Sequence, residues 1–246
     1  MRENLLLELV NTLNPDVVFL QEIKCQNNEF PIIYKEKNYN LVIKGEKGKY
    51  GVAILIKKKI EFEEINFESA IFQSEARICG IKIKNNFNLH LINIYAPNGN
   101  PIESKEKFSY KIKWYSELHK FIKKLINSKV NIILAGDFNV IPAAEDVYNV
   151  KSFEDDALYR LEIRKKFREM LNLGFSDVYR HFNEVKEGFT FWDYMRGAWQ
   201  KNNGMRIDHF LVSNSLIDQI KSININKDPR GKEKPSDHTP IEIKLT

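Results

Sequence analysis

Residues 132–139 read Ile132-Ile133-Leu134-Ala135-Gly136-Asp137-Phe138-Asn139. Four apolar residues in succession predict a short strand buried on both faces, and the polar residues that follow predict its exit from the core. The same shape recurs on either side of this stretch. Val17-Val18-Phe19-Leu20 runs into Gln21-Glu22, and Leu89 to Tyr95 ends in a tyrosine. Three predicted strands therefore finish in groups capable of chemistry.

Further strands are expected over 52–56, 81–84, 207–212 and 241–245. Helical spacing marks 5–13, where Asn14-Pro15-Asp16 stops the helix. Apolar positions 108, 112, 115, 118, 122 and 125 mark one face of a long helix over 108–126, and another helix is expected over 157–173. Strands outnumber helices without alternating with them regularly, which predicts an α/β protein with a mixed sheet, or two sheets face to face, and helices outside. No repeat and no Gly-, Ser- or Pro-rich linker divides the chain, so residues 1–246 are expected to form one domain.

The chain has 246 residues, of which 43% are hydrophobic and 29% charged; its net charge is +5 and its isoelectric point about 8.9. A basic balance favours a polyanionic partner, although lysine-rich surfaces also serve solubility. Cys25 and Cys79 are too few for a disulfide framework or a CxxC metal site, which fits a reducing cytoplasm. The beginning lacks the pattern of a signal peptide, and no stretch approaches the ~18 apolar residues of a membrane span.

Asp208 opens the predicted strand 207–212, while Asp237 and His238 precede the last strand. If those strands run antiparallel to the first group, their beginnings share an edge with the other strands' ends. Glu22, Tyr95, Asp137, Asn139, Asp208, Asp237 and His238 then converge. Such oxygen donors suit Mg²⁺ or Mn²⁺, without the Cys and His pairing of a zinc site. A nearby histidine and tyrosine would serve phosphoryl oxygens, pointing to hydrolysis of a phosphate ester. Each residue also has an ordinary reading as a solvated strand end, an Asx turn or the entry to an edge strand. Their joint placement distinguishes the two.

Leu20-Gln21-Glu22, Gly51-Val52-Ala53-Ile54, Asn93-Ile94-Tyr95-Ala96-Pro97-Asn98-Gly99, Gly136-Asp137-Phe138-Asn139, Thr190-Phe191-Trp192-Asp193-Tyr194, Arg206-Ile207-Asp208-His209 and Ser236-Asp237-His238-Thr239-Pro240 follow one another along the chain. In this order they resemble the exodeoxyribonuclease III family, the bacterial AP endonucleases of the endonuclease/exonuclease/phosphatase superfamily. The resemblance implies a four-layered α/β sandwich and an Mg²⁺- or Mn²⁺-dependent nuclease of DNA repair, acting on double-stranded DNA at abasic sites and 3′ ends; a monomer is assumed.

Residue by residue, it implies that Glu22 is the principal metal carboxylate and that Asp237 belongs to the same cation site, with Asp137, Asn139 and His238 beside it. Asp137 would activate water and Asn139 orient it. His238 would touch the scissile phosphate, held by Asp208, and Tyr95 would donate to a phosphate oxygen. Phe191, Met205 and Ile207 would wall a small apolar pocket for a sugar without its base. Asn98, Lys49, Lys111 and Arg196 would contact the DNA backbone, and Trp192 and Trp199 would serve either the core or the DNA.

Family members open with a β-strand carrying Trp-Asn, whereas Met1-Arg2-Glu3-Asn4 leads directly into the first helix. The expectation is that this N-terminal strand, about five or six residues with its turn, is missing. Either the true start lies upstream or the protein is a shortened, weakly active or inactive DNA-binding relative. The occupied catalytic positions favour the former. A phosphatase of the same superfamily is the remaining alternative.

Overall fold

The computed structural model describes residues 3–84, 88–183 and 187–246. Its strands are β1 (Val17–Gln21), β2 (Tyr39–Lys44), β3 (Val52–Lys57), β4 (Phe62–Glu64), β5 (Ile78–Ile83), β6 (Leu89–Tyr95), β7 (Asn131–Asp137), β8 (Phe175–Asp177), β9 (Asp208–Ser213), β10 (Ile220–Ile225) and β11 (Ile241–Leu245). The helices are α1 (Glu3–Leu13), α2 (Ile33–Glu36), α3 (Ala70–Ser74), α4 (Lys105–Asn127), α5 (Leu161–Asn172) and α6 (Val178–Phe182), joined by loops and short 3₁₀ turns.

A six-stranded mixed sheet has the order β4-β5-β6-β7-β9-β8, in which β6 and β7 are parallel and the other neighbours antiparallel. Against one face lie α4, with Trp114, Tyr115, Leu118 and Ile122, and α5, with Ile163, Phe167 and Met170. These side chains cover Ile92, Ile94, Ile132 and Leu134 of the sheet. The helical spacing in the sequence thus marks the stripe that is buried.

The opposite face meets the three-stranded sheet β1-β3-β2 and the hairpin β10-β11. Val52, Ile54 and Ile56 of β3 share that interior with Cys79, Ile81, Leu91, Ile133, Ala135 and Val212. Leu55, the alternate residue of β3, points the other way and packs with Val10 of α1 and Tyr34 of α2. β3 is therefore buried on both faces, which explains its unbroken apolar run. Helices, sheet, sheet and helices make the four layers expected of the α/β sandwich.

Some boundaries differ from the sequence reading. The second long helix begins at Leu161 instead of residue 157, because 157–160 form a turn whose Ala157 amide donates to Asn100. β2 and β10 are strands that hydrophobic patterning leaves out. β2 offers only Leu41-Val42-Ile43 as an apolar run, and a register shift between Ile220 and Ser222 breaks the alternation of β10. Among the described residues, no helix is long and apolar enough to cross a membrane.

Candidate active site

β7 carries Asp137 at its end and β9 begins at Asp208. Antiparallel pairing sets these two residues directly opposite one another. On the other side of β7, parallel pairing sets Tyr95 beside Asp137. The strand-end prediction is therefore met within the six-stranded sheet. Gly136 makes the approach of β6 and β7 feasible, since its φ is 131° and a Cβ there would lie 2.1 Å from the Ile94 carbonyl oxygen.

Asn139 adopts a left-handed backbone, φ 49°, which asparagine tolerates better than most residues. The turn folds its amide and side chain back onto Asp137. Asn139 N donates to Asp137 Oδ1 at 2.8 Å, and Asn139 Nδ2 donates to Asp137 Oδ2 at 2.9 Å and to the Ala96 carbonyl at 2.9 Å. Asn98 Nδ2 in turn donates to Asn139 Oδ1 at 3.0 Å. The Asp137 carboxyl is buried, and its pKa is pushed up to about 7 by burial, against the pull of His238 and with the added repulsion of Asp208 and Glu22.

His238 Nδ1 faces Asp208 Oδ2 at 2.9 Å and Oδ1 at 3.1 Å, while Thr190 Oγ1 donates to Asp208 Oδ2 at 2.6 Å. Burial alone would lower the His238 pKa, but the Asp208 carboxylate and then Asp137 outweigh it and raise it to about 10. The imidazole is thus held as a cation with Nε2 turned away from Asp208.

Glu22 lies just beyond β1 at φ 51°, an unfavourable conformation for this residue type. Tyr95 Oη donates to Glu22 Oε1 at 2.6 Å, and Lys24 Nζ pairs with Glu22 Oε2 at 2.7 Å. Burial works against the Glu22 carboxylate, yet the Lys24 and Tyr95 hydrogen bonds leave its pKa below the ordinary value. The Tyr95 hydroxyl is pushed far up, first by burial and then by Glu22, so it is held as a donor. Arg77 lies over its ring at 5.0 Å and over that of Tyr50 at 3.8 Å. Asp237 Oδ1 accepts from Tyr194 Oη at 3.3 Å.

Among the described residues, no three His, Cys, Asp or Glu side chains gather closely enough to form a metal cage. Within the grouping expected around one ion, Glu22, Asp137, Asn139, Asp237 and His238, the Asp137 carboxylate accepts from Asn139 and His238 Nδ1 faces Asp208. The donor set nevertheless fits magnesium, which commonly uses one or two carboxylates and keeps its waters. Burial and carboxylate repulsion at Asp137 also mark a place where added positive charge is favourable.

Phe191, Met205 and Ile207 do come together, in a cluster with Ile141, Val147, Leu158 and Tyr159. Phe191 forms isolated β-bridges to both Met205 and His238, and its ring stands edge-on to the imidazole at 5.0 Å. Met205 and Ile207 are buried, leaving Phe191 as the partly exposed member. Asn98 and Arg196 are exposed, as is Lys49, which pairs with Glu46 at 3.0 Å.

Lys111 corrects the expectation of a DNA contact. It is fully buried, and its Nζ donates to the carbonyls of Asn98 at 2.8 Å, Asn139 at 2.6 Å and Ala157 at 2.8 Å. Burial lowers its pKa to about 7. Its place is beneath the site, where it ties three loops together. Trp192 is fully buried and belongs to the interior, and the half-buried Trp199 packs against it at 4.8 Å.

Sequence reasoning missed Thr190, Lys24 and a buried network in which Arg206 binds Asp146 and Asp177. Thr190 and Arg206 stand inside the quoted motifs, and Lys24 two residues beyond one. Adjacency was their only signal.

The fold and this rim define a hydrolase. Residues 2–238 match the model of the Endonuclease/Exonuclease/phosphatase family, and the chain belongs to that family. It is 34% identical over 240 residues to a DNA-(apurinic or apyrimidinic site) endonuclease of Dictyostelium discoideum, matching 96% of this chain and 64% of that protein. With exodeoxyribonuclease III of Haemophilus influenzae it shares 31% identity over 242 residues, 95% of this chain and 91% of the relative. Among solved structures, an AP endonuclease from Archaeoglobus fulgidus superposes with a TM-score of 0.91 at 30% identity, covering 98% of this chain and 93% of that one. The 3′ phosphatase NExo from Neisseria, bound to a product DNA hairpin, superposes with a TM-score of 0.93 at 27% identity over 100% of this chain and 94% of that one.

Proposed function

We propose that this protein is a magnesium-dependent nuclease of DNA repair, which also accepts manganese and hydrolyses phosphodiesters of double-stranded DNA at abasic sites and from 3′ ends. The observation that carries the reading is the facing pair Asp137 and Asp208, each with its own partner, Asn139 on one side and His238 on the other. One carboxylate is set to accept a proton and the other to hold a cationic donor.

Glu22, with Asp237, would hold the ion. A bound Mg²⁺ polarises the phosphoryl oxygens and offsets charge that develops during hydrolysis. Asp137, with a pKa near 7, is poised to take a proton from the attacking water at neutral pH, and Asn139 fixes the carboxylate's direction. His238 presents Nε2–H to the phosphate while Asp208 fixes its ring. Tyr95 supplies a hydroxyl donor. Fixed donors of this kind stabilise the added negative charge of in-line attack more than they stabilise the substrate.

Phe191 and the apolar cluster behind it favour an unencumbered deoxyribose over a nucleotide, and the exposed Asn98 and Arg196 suit backbone phosphates. The test is cleavage of a duplex bearing one abasic site, with Mg²⁺ and with EDTA, by this chain and by Asp137→Asn. Cleavage that requires the metal and the carboxylate is expected. Activity unaffected by EDTA would sink the reading. Removal of a 3′ phosphate, assayed on a duplex that carries one, tests for the activity named for the Neisseria 3′ phosphatase.

A further inference from the structure

Two residues before Tyr95, β6 carries Asn93, whose exposure is 0%. Strand alternation places it with Leu91 and Tyr95 on the face turned toward the second sheet, among Ile54, Cys79 and Ala135. An amide in that apolar layer is costly unless its donors and acceptor are satisfied. Here they are. Asn93 Nδ2 donates to the carbonyls of Leu20 and Ala53, each at 2.9 Å, and Asn93 Oδ1 accepts from Gln21 Nε2 at 2.6 Å.

The partners of this amide are neighbours. Leu20 and Ala53 face one another across the β1–β3 pair, so one side chain of the six-stranded sheet grips both strands of the opposing sheet. The grip falls two residues before Glu22 on β1 and two before Tyr95 on β6. Beyond it, the Tyr95 hydroxyl and Glu22 carboxylate meet at 2.6 Å. Apolar side chains hold two sheets together without fixing how one slides over the other, because dispersion and burial lack direction. Three directional hydrogen bonds do fix it.

We infer that Asn93 is a positioning residue, a polar bolt that sets the lateral register of the two sheets so that Glu22 and Tyr95 converge on one cleft. The inference rests on the proposed reading of that cleft as the hydrolytic site. Asn93 acts through the strands and touches no substrate.

The test uses the full chain with Asn93→Leu, which fills the same space without directional bonds. The measurements are its melting temperature, kcat and KM on an abasic duplex, and binding of Mn²⁺ alone by electron paramagnetic resonance. A melting temperature equal to or above that of the parent is expected, with kcat reduced at least tenfold, KM within twofold and Mn²⁺ bound at least threefold more weakly. In a Tyr95→Phe background, where the Glu22–Tyr95 contact is already gone, the same substitution is expected to change kcat less than twofold.

A folded Asn93→Leu with kcat and Mn²⁺ affinity within twofold of the parent would overturn the inference, as would an equal loss in both backgrounds. Should Asn93→Leu fail to fold, Gln21→Leu at a half-buried position takes its place: a kcat lowered about threefold supports the bolt, and an unchanged one refutes it. If the parent chain cleaves no DNA, the functional reading fails, and the Mn²⁺ measurement alone decides for or against Asn93.

Discussion

Nδ1 of His238 lies 2.9 Å from Oδ2 of Asp208, whose same oxygen accepts from Thr190 at 2.6 Å. The carboxylate thus fixes the ring's direction and keeps it charged. Asp208→Asn offers Nδ1 a different partner and removes the charge that raises the His238 pKa. The expected outcome is a fall in kcat of roughly 100-fold or more, accompanied by a lowered His238 pKa measured by nuclear magnetic resonance. An unchanged imidazole titration would contradict the assigned pairing.

Asp137 is a buried carboxyl whose pKa is raised to about 7, chiefly by burial. In the unfolded chain it ionises near pH 4, so between about pH 4 and pH 7 the folded state binds the extra proton and ionisation at higher pH costs stability. Asp137→Asn should therefore melt at the same or a higher temperature than the parent at pH 8 in EDTA. Its kcat should fall about 10²- to 10⁴-fold. A variant both destabilised and fully active would refute this placement.

Lys111 and Arg196 separate a buried cation from an exposed one. Lys111→Met removes the donor to three loop carbonyls and should cost about 2–5 kcal/mol of stability in urea unfolding. The dependence of DNA affinity on salt should not change. Arg196→Ala should leave stability nearly untouched and reduce the slope of log Kd against log salt by about one. The reverse assignment of these two effects would restore Lys111 to the DNA surface.

Acid should weaken the fold before most carboxylates titrate. His209 is buried with Nδ1 3.0 Å from Arg206 and Nε2 3.1 Å from the Val140 carbonyl, and burial followed by Arg206 holds its pKa well below the ordinary value. Burial also lowers the pKa values of His90 and His119. Unfolded histidines take up protons near pH 6.5, so the stabilisation present above that pH is lost as pH falls toward the folded pKa values. Each fully shifted histidine contributes up to about 1.4 kcal/mol per pH unit. Asp137 works the other way over the same window, so the decline should be read in urea unfolding of Asp137→Asn from pH 7 to pH 5. A flat profile would disprove it.

The legible parts of the sequence were the strands whose apolar runs end in polar residues. Asp137, Asp208 and Tyr95 could be placed together because sheet pairing converts strand ends into spatial neighbours. Lys111 was misplaced because helical periodicity shows that a residue lies on the buried stripe only when the residue is apolar. A lysine satisfied by three carbonyls has the same composition as one on the surface. Thr190 and Asn93 act through side-chain hydrogen bonds to residues distant in sequence, which no local pattern encodes. Spacing identifies which carboxylates share an edge, but the direction of each side chain is set by turns such as that of Asn139.

Phe191 joins Met205 on one side and His238 on the other through main-chain bridges. Whatever presses against the Phe191 ring therefore pushes on the backbone that carries the imidazole. On the proposed reading fit and turnover share a lever: widening this wall to admit a bulkier lesion is expected to retune the histidine, and a broadened substrate range to come with slower chemistry.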